Sequence, residues 1–158
     1  MTAGWVPALL AAALLLPGES AAQRRDGGFF GGPLQAGPRV GRDFENKAWS
    51  VGGQVSAPIG DNLELRPSGD LFFPRDEGMG WQLNGDAAIR FGGGALYGGG
   101  GIALVHPDDS DTETGYNLFF GLSTAAPDDR TKGFLEFRWT FVNDTSPFRL
   151  ALGFLYRL

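Results

Sequence analysis

From Phe148 to Leu158 the chain reads FRLALGFLYRL, and its side chains alternate strictly between two classes. Phe148, Leu150, Leu152, Phe154, Tyr156 and Leu158 form an apolar set; Arg149, Ala151, Gly153, Leu155 and Arg157 form the other. Successive residues of a β-strand point to opposite faces, so this pattern predicts a strand with one wholly apolar face and one that carries arginines. The same period recurs upstream. Trp49–Ile59 sets Trp49, Val51, Val55 and Ile59 against Ser50, Gln54 and Ser56. Leu63–Phe73 sets Leu63, Leu65, Leu71 and Phe73 against Glu64, Arg66 and Asp70. Trp81–Phe91 sets Trp81, Leu83, Ile89 and Phe91 against Gln82, Asn84, Asp86 and Arg90. Gly133–Val142 sets Leu135, Phe137, Trp139 and Phe141 against Glu136, Arg138 and Thr140.

Two further runs are less regular. Gly115–Ala125 is expected to point Tyr116, Leu118, Phe120 and Leu122 outward, with Asn117 and Ser123 inward. Ala95–Val105 is rich in glycine, and alternation alone does not assign its faces. An eighth strand is expected within Gly27–Ala36, although Pro33 would remove a ladder hydrogen bond there. Clusters of Gly, Asp, Asn and Pro separate the runs, the signature of an antiparallel barrel or sandwich. The connections near Asp61 and Gly93 are tight, whereas Gly41–Lys47, Pro74–Gly80 and Pro107–Thr114 are longer. Outer-membrane barrels have short periplasmic turns and longer outer loops, so this order places both termini in the periplasm. The Pro127–Lys132 turn and the Asn143–Pro147 loop do not follow the length rule well.

Alternation does not separate a membrane barrel from a soluble half-buried sheet; the character of the charged face does. On the clearest strands the apolar face has no charge, and the opposite face holds Glu64, Arg66, Asp70, Asp86, Arg90, Glu136, Arg138, Arg149 and Arg157. That is five arginines against four carboxylates, with no lysine. Arginine suits confined ion pairs because its planar fork binds carboxylates bidentately. A barrel of about eight strands has an interior just wide enough for side chains to fill, and charges held there must pair. The expectation is a packed, ion-paired lumen. The apolar face then meets lipid, with Trp49, Phe73, Trp81, Phe91, Trp139, Phe148, Phe154 and Tyr156 supplying the interfacial aromatics.

The N-terminus reads as a processing signal. Trp5–Leu16 is an apolar stretch of h-region length, too short to cross a bilayer as a helix, and Ser20-Ala21-Ala22 offers small residues for cleavage before Gln23. The expected division is residues 1–22 as signal peptide and 23–158 as one barrel domain. Cysteine is absent, so an exported chain must hold together without disulfides. The formal net charge of −5 argues against nucleic acid as a partner. Lysine is scarce: Lys47 and Lys132, both expected in turns or loops, stand against eleven arginines.

The leader, the glycine-rich strands, the segment FLEFRWTF (Phe134–Phe141) and the terminal FRLALGFLYRL together resemble small OmpA-like and OmpX-like outer-membrane β-barrels. The resemblance covers most of residues 27–158. It implies an all-β, antiparallel, up-and-down transmembrane barrel of eight strands in the outer membrane of a Gram-negative envelope. It also implies a monomer surrounded by outer-membrane lipid, inserted by the barrel-assembly machinery through its last strand. Phe154, Tyr156 and Leu158 are the corresponding insertion-signal residues here, although the family usually ends in Phe or Trp.

Chemistry is sparse. His106 is the single histidine, and the acidic segment HPDDSDTET that follows is poorly suited to hold a catalytic base beside Ser110. The same segment fails the EF-hand pattern, because a loop starting at Asp109 would need glycine at Thr114 and glutamate at Phe120. Gly98–Gly101 lies within a strand and is no phosphate loop; it is expected to let the strand bend or let bulky lumen side chains approach. No catalytic, metal or cofactor residues are therefore assigned. The leading expectation is a non-enzymatic envelope or surface-interaction barrel. The alternatives are a narrow channel through the same barrel and a soluble periplasmic ligand-binding barrel.

Overall fold

The computed structural model describes residues 31–75, 78–108, 111–124 and 130–158. The expected signal peptide, and residues 27–30 of the expected first strand, lie outside the described residues.

The strands are β1 (Gln35–Asp43), β2 (Trp49–Ile59), β3 (Leu63–Leu65), β4 (Ser68–Phe73), β5 (Gly80–Phe91), β6 (Leu96–His106), β7 (Glu113–Ser123), β8 (Thr131–Phe141) and β9 (Phe148–Arg157). β3 and β4 are one stave interrupted at Arg66-Pro67. Both pair with β2 on one side and β5 on the other, and Ala57↔Leu65 continues into Gln54↔Ser68 without a slip. Proline breaks the ladder because it has no N–H, yet Val55 N still donates to Pro67 O at 2.9 Å. Eight staves result. Each pairs antiparallel with its sequence neighbour, and β1 pairs with β9 to close the barrel. Closure leaves no edge strand among the described residues.

The first strand corrects the expectation. It runs over Gln35–Asp43 and shares only Gln35 and Ala36 with the range read from the sequence. Gln35, Arg39 and Asp43 supply an inward polar face that extends past the expected end, so the loop to β2 shrinks to residues 44–48. Pro38 sits inside this strand and pairs with Gly53 of β2, but the ladder to β9 skips Gly37 and Pro38. Gly37 is needed there: a Cβ at that position would lie 1.7 Å from the Phe154 carbonyl oxygen.

The barrel has two ends. The proximal end holds Gln35, the turn at residues 60–62, the 3-10 turn Gly92–Gly94, and Arg157. The distal end holds the connections at residues 44–48 and 142–147 and the described residues 74–75, 78–79, 107–108 and 111–112.

Burial is inverted relative to a soluble protein. Among the described residues the buried set contains twenty polar or charged side chains and ten apolar ones. Val51, Leu71, Ile89, Ile102, Leu118, Phe120, Leu152 and Phe154 are exposed on the outer wall. A soluble calyx would turn these inward. Here the strands alternate apolar-out and polar-in, as a transmembrane barrel does. Aromatic rings run along the outer face of β7, β8 and β9, with Phe120 against Phe137 at 4.9 Å and Trp139 against Phe148 at 5.0 Å.

Candidate functional site in the barrel lumen

The inward face of every stave ends in a lumen that charged side chains fill. The two-residue period of a strand places Glu136 and Arg138 in successive layers, and the same spacing links Glu64 to Arg66. Closure of the sheet then brings together residues far apart in sequence.

Asp70 lies toward the distal side. Its Oδ1 accepts from Arg39 Nε at 2.7 Å; its Oδ2 takes Arg39 Nη2 and, at 3.1 Å, Arg149 Nη1. Arg39 also donates from Nη1 to Gln54 Oε1 at 3.2 Å and sits 3.8 Å from Glu136 Oε1. Glu136 is the hub. Arg138 donates to its Oε1 from Nε at 3.0 Å and Nη2 at 2.8 Å, and reaches Asp86 Oδ2 from Nη1 at 2.7 Å. Arg66 Nη1 meets Glu136 Oε2 at 3.2 Å, and the Tyr97 hydroxyl donates to the same oxygen at 3.3 Å. Toward the proximal end, Glu64 accepts from Arg90 Nε at 2.6 Å, from Arg90 Nη2 and from the Ser56 hydroxyl. Arg66 Nε lies 3.4 Å from Glu64 Oε1 as a charge contact without hydrogen-bond alignment. A single connected chain of ion pairs thus runs from Arg149 to Arg90.

Uncharged groups complete the packing. Distally, Asn117 donates to Asp86 and Asn84, Thr140 donates to Asn117, and Gln82 donates to Asn84. On the other side of the hub, the Arg66 guanidinium lies 4.1 Å from the Tyr97 ring, 5.5 Å from Phe134 and 5.9 Å from Phe119. The Arg138 guanidinium lies over the Phe119 ring at 4.7 Å. These rings shield the charges from water and contribute cation–π attraction. Arg39 and Arg138 retain 2% and 1% of their surface, and Glu136 none, so the hub is almost wholly closed to water.

The structure brings eight of the residues singled out from sequence into this network: Glu64, Arg66, Asp70, Asp86, Arg90, Glu136, Arg138 and Arg149. It does not bring Arg157. That side chain has the inward register, but it lies beyond the last lumen layer, exposed at the proximal rim and without an ion pair among the described residues. Phe154, Tyr156 and Leu158 are exposed on the outside of the last stave and its end. Two central residues escaped the sequence reading. Arg39 lay outside the expected first strand, and Lys132, expected in a turn, is buried in β8. Extending the β8 alternation backward through Phe134 would have placed Lys132 inward.

The other candidates stay apart. His106 stacks on Trp81 at 5.2 Å and faces Thr112 Oγ1 at 3.1 Å, near the distal rim. In β6, Gly99 and Gly101 face the lumen, where Phe119 and Asp86 approach the space a Cβ would take.

Comparison with protein-family models finds none that matches, and comparison with curated protein sequences finds no match. Solved structures do match. The N-terminal β-barrel domain of Pseudomonas aeruginosa OprF superposes with a TM-score of 0.67 at 20% identity, over 79% of this chain and 96% of that one. A barrel from the de novo design of transmembrane β-barrels gives 0.55 at 14% identity, over 80% and 96%. The designed barrel TMB2.3 gives 0.53 at 15% identity, over 80% and 94%. The chain therefore has the closed, eight-stranded antiparallel fold of the small transmembrane β-barrels, the fold of the OprF N-terminal domain.

Proposed function

We propose that this protein is a non-enzymatic, monomeric barrel of the outer membrane whose closed lumen suits it to an envelope-structural or surface-interaction role rather than to transport. The observation that carries this reading is the connected chain of ion pairs from Arg149 through Asp70, Arg39, Glu136 and Arg66 to Glu64 and Arg90. A chain of paired charges across a packed lumen stiffens the wall and fills the space a solute would need. The outward apolar wall supplies the lipid contact, and the aromatics at its ends suit the interfaces.

In this reading residues 1–22 are a cleaved leader, the barrel-assembly machinery inserts the chain through Phe154, Tyr156 and Leu158, and the proximal end faces the periplasm. Expression with the leader in a Gram-negative host tests it. The protein is expected in the outer-membrane fraction, shortened at the N-terminus, and faster on unboiled than on boiled gels. Recovery as a soluble periplasmic protein would overturn it.

A further inference from the structure

The outer wall carries one charged side chain. Taken at alternate positions, the outward residues of the described strands include Arg42 and no other Lys, Arg, Asp or Glu. Ala36, Pro38 and Val40 share that face of β1 with it. A cation on a lipid-facing strand is costly at mid-bilayer and tolerated near the interface. Arg42 is the last residue but one of β1, level with the distal aromatics. It pairs with Trp49 of β2, which pairs in turn with Phe73 of β4. Its other neighbour, across the closing seam, is Leu150.

The Arg42 guanidinium lies 5.2 Å from the centre of the Trp49 ring. That cation–π contact fixes the head but uses none of its five N–H donors. Among the described residues no carboxylate pairs with Arg42. The adjacent Asp43 points inward and accepts from Asn46 N at 2.9 Å and Asn46 Nδ2 at 3.0 Å. Arg42 Nη1 is covered by protein without an acceptor, while the side chain as a whole is half-buried, so its open edge is the one formed by Nε and Nη2. That is the edge with which Arg39 grips Asp70. Two residues back along β1, about 7 Å deeper in the wall, Val40 pairs with Val51 on one side and Leu152 on the other, and all three are exposed. A guanidinium with a free fork therefore stands over a strip of apolar surface.

We propose that Arg42 and Trp49 hold one anionic lipid of the distal leaflet by its phosphate, with an acyl chain lying along Val40, Val51 and Leu152. The order of the surface, cation at the rim and hydrocarbon below, is the order of the lipid. Two phosphate oxygens match the Nε and Nη2 donors as a bidentate pair. A free oxyanion would use the fork and leave the apolar strip idle. The inference rests on the membrane reading of the barrel and adds a lipid it selects.

The test uses the full mature chain in neutral detergent micelles, its folding checked first by gel mobility. Titration with short-chain phosphatidylglycerol is expected to shift the Arg42 Nε–H and Trp49 indole N–H resonances saturably, a readout that requires no variant to fold. Phosphatidylcholine of the same chain length, whose own ammonium neutralises its phosphate, should bind about tenfold more weakly, and inorganic phosphate should not saturate the site. By native mass spectrometry, Arg42→Met should lower retention of phosphatidylglycerol about tenfold, while Arg157→Met, the same charge change at the proximal rim, leaves it unchanged. A chain that folds without detergent would overturn the membrane reading and the site with it. In a barrel folded in micelles, still Arg42 and Trp49 resonances, equal binding of the two lipids, equal retention by the Arg42→Met protein, or saturation by inorganic phosphate would each overturn the lipid site alone.

Discussion

Arg39 and Asp70 meet inside the lumen from strands that do not pair, β1 and β4, reaching over β2 between them. Arg39 Nε donates to Asp70 Oδ1 at 2.7 Å and Nη2 binds the second oxygen, a bidentate fork to which Arg149 of β9 adds a third contact at 3.1 Å. One carboxylate therefore ties three staves together, including the two that flank the closing seam. Removing it strands two buried guanidiniums. Asp70→Asn is expected to destabilise the barrel by about 3–5 kcal/mol, the usual cost of breaking one side of a buried pair. Replacing the fork as a whole, Arg39→Met with Asp70→Leu, should cost less than Asp70→Asn alone. Urea unfolding in lipid vesicles, followed by gel mobility, measures both.

Gly98 and Gly99 are neighbours with opposite tolerances. A Cβ on Gly99 would lie 2.0 Å from the Ala87 carbonyl oxygen and 2.8 Å from Phe119 Cζ, whereas a Cβ on Gly98 meets nothing closer than 3.7 Å. Gly99→Ala is expected to cost about 1–3 kcal/mol through overpacking, and Gly98→Ala to change stability by less than about 0.5 kcal/mol. The same unfolding assay separates them. Equal effects would contradict the inward assignment of Gly99.

The outer wall predicts a depth dependence. Leu118 is exposed halfway along β7, and Thr131 is exposed at the proximal end of β8. Leu118→Arg should destabilise the lipid-inserted barrel by about 2–4 kcal/mol, and Thr131→Arg by at most about 1 kcal/mol. Folding free energies in vesicles read the difference, and similar values at the two positions would remove the bilayer from the account.

Much of this was legible in the sequence, and the reasons differ by strand. The period-two pattern set the faces of β2, β5, β8 and β9, because the large apolar side chains there fall mostly on one parity and the polar ones on the other, with Phe134 and Leu155 as inward exceptions. β1 was misplaced because its outer face carries Val40 as its one large apolar side chain, and Gly37, Pro38 and Gly41 resemble a turn. Its inward Arg39 went with it. The aromatic packing around Arg66 was also hidden. Tyr97 lies on a strand with glycine on both faces, so alternation could not tell inside from outside. Arg157 shows the opposite failure: its parity is inward, but a strand that outruns the barrel wall has no lumen left to point into. That two designed barrels share the fold at 14% and 15% identity fits the same view, since the binary pattern carries the architecture and little else.

Conductance in planar bilayers tests the closed, ion-paired lumen most directly. Glu136 takes contacts from Arg39, Arg66 and Arg138, so it and Arg138 form the plug that any passing ion must meet. The unsubstituted protein is expected to insert and stay silent, while Glu136→Ala with Arg138→Ala opens a measurable current. Steady conductance by the unsubstituted barrel, or continued silence from a folded and inserted double variant, would contradict the account.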